Sequence, residues 1–144
     1  MSANTIMLKG RFSREEAPAG EALKPGMFVE LESDGVIVAH DTAGGVAEKA
    51  IVVEDALQGK TIYEGYAPGD PVQFNILCPG AVVQARISDG EEISVGDVLV
   101  SDGDGALQAW SSGGEYPLAV ALAELDMSGS SGEDPYPLCN VRIL

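Results

Sequence analysis

The sequence predicts an all-β domain, a small sandwich or barrel of short hairpins with at most one short helix. Three observations predict it. Short apolar runs recur with turn residues roughly every 8–12 positions, the spacing of hairpin-linked strands. No window of about 12 residues carries the 3.6-residue apolar period of an amphipathic helix. The chain spends 18 Gly and 8 Pro on 144 residues, which favours many turns over long helices.

The elements follow in chain order. Residues 1–22 are polar, and Lys9, Arg11 and Arg14, with Lys24 just beyond, are half of the 8 Lys+Arg in the chain. This segment reads as an extended N-terminal arm, either gripping a neighbour through Lys9, Arg11, Phe12 and Arg14 or fraying as a tail. Residues 23–144 read as one β domain. Met27–Leu31 and Val36–Ala39 are strands around a Ser33-Asp34-Gly35 turn, and Ala50–Glu54 is a third. Asp55–Lys60 has room for one helical turn, and Ala47–Leu57 is the one stretch whose Ala, Glu and Lys content competes with a strand. Thr61–Tyr63 opens a further strand. Pro71–Leu77 and Ala81–Ile87 flank a Cys78-Pro79-Gly80 turn; Val83, Ala85 and Ile87 share one face, Val82, Gln84 and Arg86 the other. Val98–Val100 and Ala106–Trp110 flank Asp102-Gly103-Asp104-Gly105. Tyr116–Leu125 reads as a long strand, Asp126–Pro135 as a Gly/Ser-rich loop, and Tyr136–Leu144 as the closing strand.

Turn chemistry repeats. Pro25-Gly26, Pro68-Gly69-Asp70 and Val95-Gly96-Asp97 each launch an apolar run. Glycine supplies a positive φ without steric cost, and the following Asp can bond nearby backbone amides. The first and last lie about 70 residues apart, and Gly44-Gly45 and Gly113-Gly114 follow at a similar offset. Either the domain is a pseudo-duplication, with halves near 23–90 and 91–144, or one turn is used twice.

Charge and side-chain inventory restrict function. Eight Lys+Arg against 23 Asp+Glu give a net charge of −15. Such a surface repels phosphate backbones and anionic bilayers, so neither nucleic acid nor membrane is an expected partner. It suits either simple solubility or docking onto a basic surface. No secretory leader or spanning segment is legible, which points to synthesis inside the cell. Cys78 and Cys139 lack metal-ligand spacing and read as reduced, buried apolar residues. His40 is the single histidine and sits at a strand end, which suits an inter-strand or surface role better than catalysis. Asp102-Gly103-Asp104-Gly105 supplies the first two ligand positions of a calcium loop, but Ala106 and Gly113 fail the later ones, leaving a hairpin turn. Glu15-Glu16 and Glu91-Glu92 point to opposite sides of an extended chain and make no carboxylate dyad. No nucleophile elbow or phosphate-binding loop occurs. The chain is expected to be no enzyme and to need no cofactor or metal.

From Lys60 to Arg86 a strand enters a Tyr66-Ala67-Pro68-Gly69-Asp70-Pro71-Val72 turn, runs to Pro79-Gly80, and returns to Ala85-Arg86. Gly96-Asp97-Val98-Leu99 and the acidic hairpin Asp102–Leu107 follow. In that order these motifs resemble the capsid decoration, or cement, proteins of tailed bacteriophages, over roughly Leu23–Leu125. The resemblance implies a β-barrel or β-tulip-like domain. It also implies a homotrimer on the outside of a phage head, clamping major capsid protein subunits, made in the host bacterial cytoplasm and carried in the virion. Gly26, Gly69, Asp70, Gly80, Gly96 and Asp97 are then structural turns, and the arm holds the contact candidates. The alternative is a non-catalytic ligand- or carbohydrate-binding module, using Tyr63, Tyr66 and Trp110 as stacking surfaces.

Overall fold

The computed structural model describes residues 5–46, 48–111, 113–126 and 138–144. The chain forms thirteen short strands there: β1 (Met7–Lys9), β2 (Phe12–Pro18), β3 (Val29–Leu31), β4 (Ile37–Ala39), β5 (Ala50–Val52), β6 (Pro71–Leu77), β7 (Val82–Arg86), β8 (Glu92–Ile93), β9 (Val98–Ser101), β10 (Leu107–Ala109), β11 (Ala119–Ala121), β12 (Leu125–Asp126) and β13 (Leu138–Ile143). Among the described residues one 3-10 turn occurs, Ala56–Gln58, within the Asp55–Lys60 stretch where the sequence has room for one helical turn. All strand pairs are antiparallel: a six-stranded sheet β1-β7-β13-β11-β9-β10, a three-stranded sheet β2-β6-β5, and the hairpins β3-β4 and β12-β8. Among the described residues no sheet closes into a barrel.

Alternation builds two cores. One lies on the six-stranded sheet and takes Val83, Ala85, Leu99, Ala119, Ala121 and Val141, with Phe28, Ile51 and Leu77 arriving from elsewhere. The other collects Val29, Ile37, Ala50, Val52, Val72 and Phe74. Since successive strand residues point to opposite faces, Ile51 enters the first core while Ala50 and Val52 enter the second. The three-stranded sheet therefore separates them. β7 is buried along its whole length, Val82, Gln84 and Arg86 included.

Five turns share one geometry. Lys24–Met27, Ala67–Asp70, Cys78–Ala81, Ser88–Glu91 and Ser94–Asp97 each bond the fourth N–H to the first carbonyl, at 3.0–3.4 Å. The third residue is glycine every time, with φ of +82° to +92°, the conformation that a type II turn demands. In two of them the aspartate locks the turn: Asp70 Oδ2 accepts the Ala67 N–H and Asp97 Oδ2 accepts the Ser94 N–H, both at 2.9 Å.

The sequence echo coincides with repeated pairing. Val29 pairs Ala39 and Leu99 pairs Ala109, seventy residues on at both positions. Phe28 pairs Ile51 as Val98 pairs Val120. Gly26 N–H donates to Val52 and Gly96 N–H to Ala121. The edge amide of Ala39 is capped by Glu21 and that of Ala109 by Glu91, again seventy apart. Gly20 N–H bonds Ile37 as Ser88 N–H bonds Leu107. Strand order repeats as well: β4-β3-β5-β6-β2 corresponds to β10-β9-β11-β13-β7.

Several expectations are corrected. Residues 1–22 were expected to lie off the domain, yet β1 pairs with β7 and β2 runs seven residues beside β6. Ile6 is fully buried, so residues 5–22 belong to the fold. Thr61–Tyr63 is no strand; it is a turn whose Thr61 N–H is capped by Glu64. Tyr116–Leu125 breaks after Ala121, where its neighbour β9 gives way to the Ser94–Asp97 turn and Gly96 takes the Ala121 carbonyl. The Gly/Ser-rich loop read at 126–135 lies, beyond Asp126, outside the described residues.

Two turn glycines separate strain from packing. A Cβ on Gly26 would sit 2.9 Å from Leu138 Cδ2 and 3.2 Å from Arg86 Cγ, whereas one on Gly69 meets nothing within 4 Å. Gly69→Ala is expected to lower stability by about 1–2 kcal/mol from positive φ alone. Gly26→Ala adds overpacking and is expected to cost about 2–4 kcal/mol. Urea unfolding of both variants checks the ranking.

Candidate functional site

The arm-contact candidates fall on two adjoining strands. Lys9 ends β1, Arg11 links it to β2, and Phe12 and Arg14 share one face of β2. All four are exposed. Arg14 is partly committed to the fold. Its guanidinium lies 5.8 Å from the Phe12 ring centroid, and its Nε donates to Asn75 Oδ1 at 2.6 Å. Asn75 is fully buried, and its Nδ2 has no partner. Arg14 thus supplies the polar contact that this buried amide needs.

β2 is the outer strand of its sheet. The ladder bonds at its two ends, Cys78 N–H to Arg11 O (3.1 Å) and Ala19 N–H to Asp70 O (2.9 Å), fall on odd residues. By the two-residue period of an antiparallel ladder, Ser13, Glu15 and Ala17 bond β6. The backbones of Phe12, Arg14 and Glu16 face outward. Pro18, which has no N–H to offer, sits in this outward set, where a proline is tolerated.

Beside β2 runs a groove floored by Val29, Ile37, Ala50, Phe74 and Ile76, with Leu31 exposed at its side. Glu15, Glu30 and Glu48 rim it. Burial, then the neighbouring Asp41, raises the Glu30 carboxyl above its ordinary range. This is an apolar channel edged with negative charge.

The residues weighed for catalysis have structural work. His40 is buried; its Nδ1 lies 2.6 Å from Ser101 Oγ and its Nε2 3.0 Å from the Val46 carbonyl. Ser101 Oγ also accepts the Gly103 N–H at 3.1 Å. The network is satisfied when the Ser101 hydroxyl donates to Nδ1 and the Nε2–H donates to Val46. His40 therefore ties the 41–46 loop to β9, an inter-strand role. Asp102 turns Oδ1 onto the amides of Asp104 (2.7 Å) and Ala106 (3.1 Å), closing the β9–β10 hairpin as expected. No cluster of three or more metal-ligating side chains occurs among the described residues.

Other readings change. Cys139 is a buried free thiol, pushed up in pKa by that burial, but Cys78 is exposed rather than buried, on a turn rather than in a core. Tyr66 cannot serve a stacking surface with Tyr63 and Trp110. It is buried, its hydroxyl donates to the Val53 carbonyl at 2.7 Å, and its pKa is pushed up to about 12, chiefly by desolvation. The free edge of β2 and the groove were missed in the sequence; the one available signal was Pro18 ending a charged, extended-looking run.

No family model matches the chain. Two curated proteins named phosphoribosylformylglycinamidine cyclo-ligase, from Nitratidesulfovibrio vulgaris (strain DSM 19637 / Miyazaki F) and Oleidesulfovibrio alaskensis (strain ATCC BAA-1058 / DSM 17464 / G20), are each 33% identical over 143 residues. The matches cover 95% of this chain and 35% of those proteins, so the chain spans roughly a third of their length. Among solved structures, the chain is similar to the head fiber gp8.5 N base of bacteriophage phi29, with a TM-score of 0.61 and 15% identity, covering 93% of this chain and 95% of that one. At that identity the likeness is one of fold.

Two measurements test the assigned roles. His40→Ala is expected to lower stability by about 2–4 kcal/mol, through a cavity and the loss of the Ser101 and Val46 bonds. The Asp104 carboxyl is raised by burial, then by Asp102 and Glu21. A carboxyl raised in the folded state favours folding as pH falls and opposes it once ionised. Asp104→Asn is therefore expected to raise the melting temperature at pH 7, with the gain shrinking as acid protonates the wild-type carboxyl. Thermal melts across that range check the sign.

Proposed function

We propose that the chain is a non-catalytic structural protein of a bacteriophage head. It sits on the outside of the shell as a homotrimer and cements contacts between major capsid protein subunits. The fold likeness to the phi29 head fiber base, over nearly the whole of both chains, carries this reading. The ordered motifs from Tyr66–Val72 through Asp102–Leu107 support it independently. So does the inventory: the single histidine spends both ring nitrogens on loop and strand contacts, and the work of a cement protein is holding neighbours. A net charge of −15 favours a basic protein surface over nucleic acid.

A second reading is favoured by the 33% identity to the cyclo-ligases: the chain is a domain of a longer enzyme of that name. Cyclo-ligase turnover by the purified chain would establish this reading against the first.

Cryo-EM of the parent virion tests the proposal. Density for this fold is expected on the outer head surface at three-fold or quasi-three-fold positions, and a head without it contradicts the reading. Light scattering of the purified chain is expected to give the mass of three copies, and a monomer at micromolar concentration removes the trimer in solution.

A further inference from the structure

We propose that the outer edge of β2, with the acidic groove beside it, is a strand-docking site for an extended segment of a partner protein in which pairs of Lys or Arg alternate with pairs of aliphatic residues. The inference rests on the head reading only for where that partner resides.

β2 and β7 occupy equivalent places in the two five-strand sets, beside β6 and β13 respectively. Their equivalence runs sixty-eight residues apart, as the matched bonds of Gly20 with Ile37 and of Ser88 with Leu107 require. On β7 the outer edge is filled. β1 pairs there, Gln84 N–H donates to the Ile6 carbonyl at 2.8 Å, and Arg86 N–H donates to Gly26 at 3.0 Å. On β2 the equivalent of Gln84 is Glu16, whose amide points outward, and the equivalent of Arg86 is Pro18, which needs no acceptor. Among the described residues no strand lies beyond Phe12–Glu16; past the end of β2, Ala19 bridges Ile37 of β4. The same sheet position that binds an added strand in one half is open in the other, and an open edge is a template for one.

Charge selects the occupant. A strand laid along β2 places alternate side chains beside Glu15, where Glu30 and Glu48 also rim the apolar groove. Only every second residue of that strand faces the groove, so paired residues put both kinds on that face: basic ones answer the rim, and aliphatic ones answer Leu31, Phe74 and Ile76. The segment that fills the equivalent edge, Met7-Leu8-Lys9, has this aliphatic and basic character. A second copy of β2 is the poorer occupant of the groove, because the residues it would turn to that side, Ser13, Glu15 and Ala17, bring a further carboxylate to an acidic rim.

The test uses the full chain and a capped octapeptide, Val-Val-Lys-Lys-Val-Val-Lys-Lys, which as a strand offers both residue types on each face. Binding is expected, with amide shifts on Phe12, Arg14 and Glu16. A peptide N-methylated at alternate backbone nitrogens, which blocks strand pairing without changing charge, is expected to bind at least about tenfold more weakly. Glu16→Pro, which removes an outward N–H and no ladder bond, is expected to weaken binding about tenfold, and Glu16→Ala less than about threefold. Equal binding of the methylated peptide, or shifts away from β2, overturns the proposal. Self-association that Glu16→Pro abolishes, without peptide binding, assigns the edge to a second copy and overturns it as well. Heads separate the two readings: if Glu16→Pro adds to heads as well as Glu16→Ala does, the docking site fails and the head reading stands. If neither variant nor wild type adds to heads, the head reading fails, and the peptide result still decides the edge.

Discussion

The turn at Lys24–Met27 joins what would otherwise be two separate sheets. Gly26 donates its N–H to Val52 of β5 at 2.9 Å and accepts the Arg86 N–H of β7 at 3.0 Å, while Arg86 Nε donates to the Pro25 carbonyl at 2.8 Å. One peptide thus bridges the strand that divides the two cores and the strand buried deepest in the large sheet. Only glycine fits, because a Cβ would strike Leu138 and Arg86. The equivalent turn, Ser94–Asp97, has the same backbone but lies exposed at Gly96, with nothing near its missing Cβ. The sequence adjusts accordingly. Asp97 closes the exposed turn, whereas the half-buried one carries Met27, whose sulfur takes the Lys24 N–H at 3.4 Å. A carboxylate there would lose hydration that a thioether never needed.

Two copies of one pattern with different surroundings make an asymmetric particle. One five-strand set has its outer edge filled by β1; the other ends in β2, exposed and charged. Natural edges are blunted by charge and proline, and β2 has both in Arg14, Glu15, Glu16 and Pro18. These guard against promiscuous pairing but leave room for a segment of the right charge. The type II turns fix where each strand begins.

Much of the fold was legible because its signals are local. Pro71–Leu77 matches its predicted bounds, and the Gly-Asp turns read correctly because φ and side-chain capping are decided within four residues. β2 was not legible: its exposed residues lack alternation, and only the neighbouring β6 makes them a strand. Ile62 misled in the opposite way. Its apolar character reflects burial in a turn rather than a strand. The candidate site was half legible. Lys9, Arg11, Phe12 and Arg14 were picked out by charge, but the groove joins Glu15, Glu30 and Glu48 from distant parts of the chain, and no short-range pattern foretells that.

Amide hydrogen exchange along β2 tests the central claim most directly. In the free chain, Ser13, Glu15 and Ala17 should exchange slowly while Phe12, Arg14 and Glu16 exchange fast, and the equivalent Gln84 and Arg86 of β7 should be protected. On heads, the fast set should slow. Protection of Phe12, Arg14 and Glu16 in the free chain, or no change in them once the chain is bound to heads, would contradict an edge held open for a partner strand.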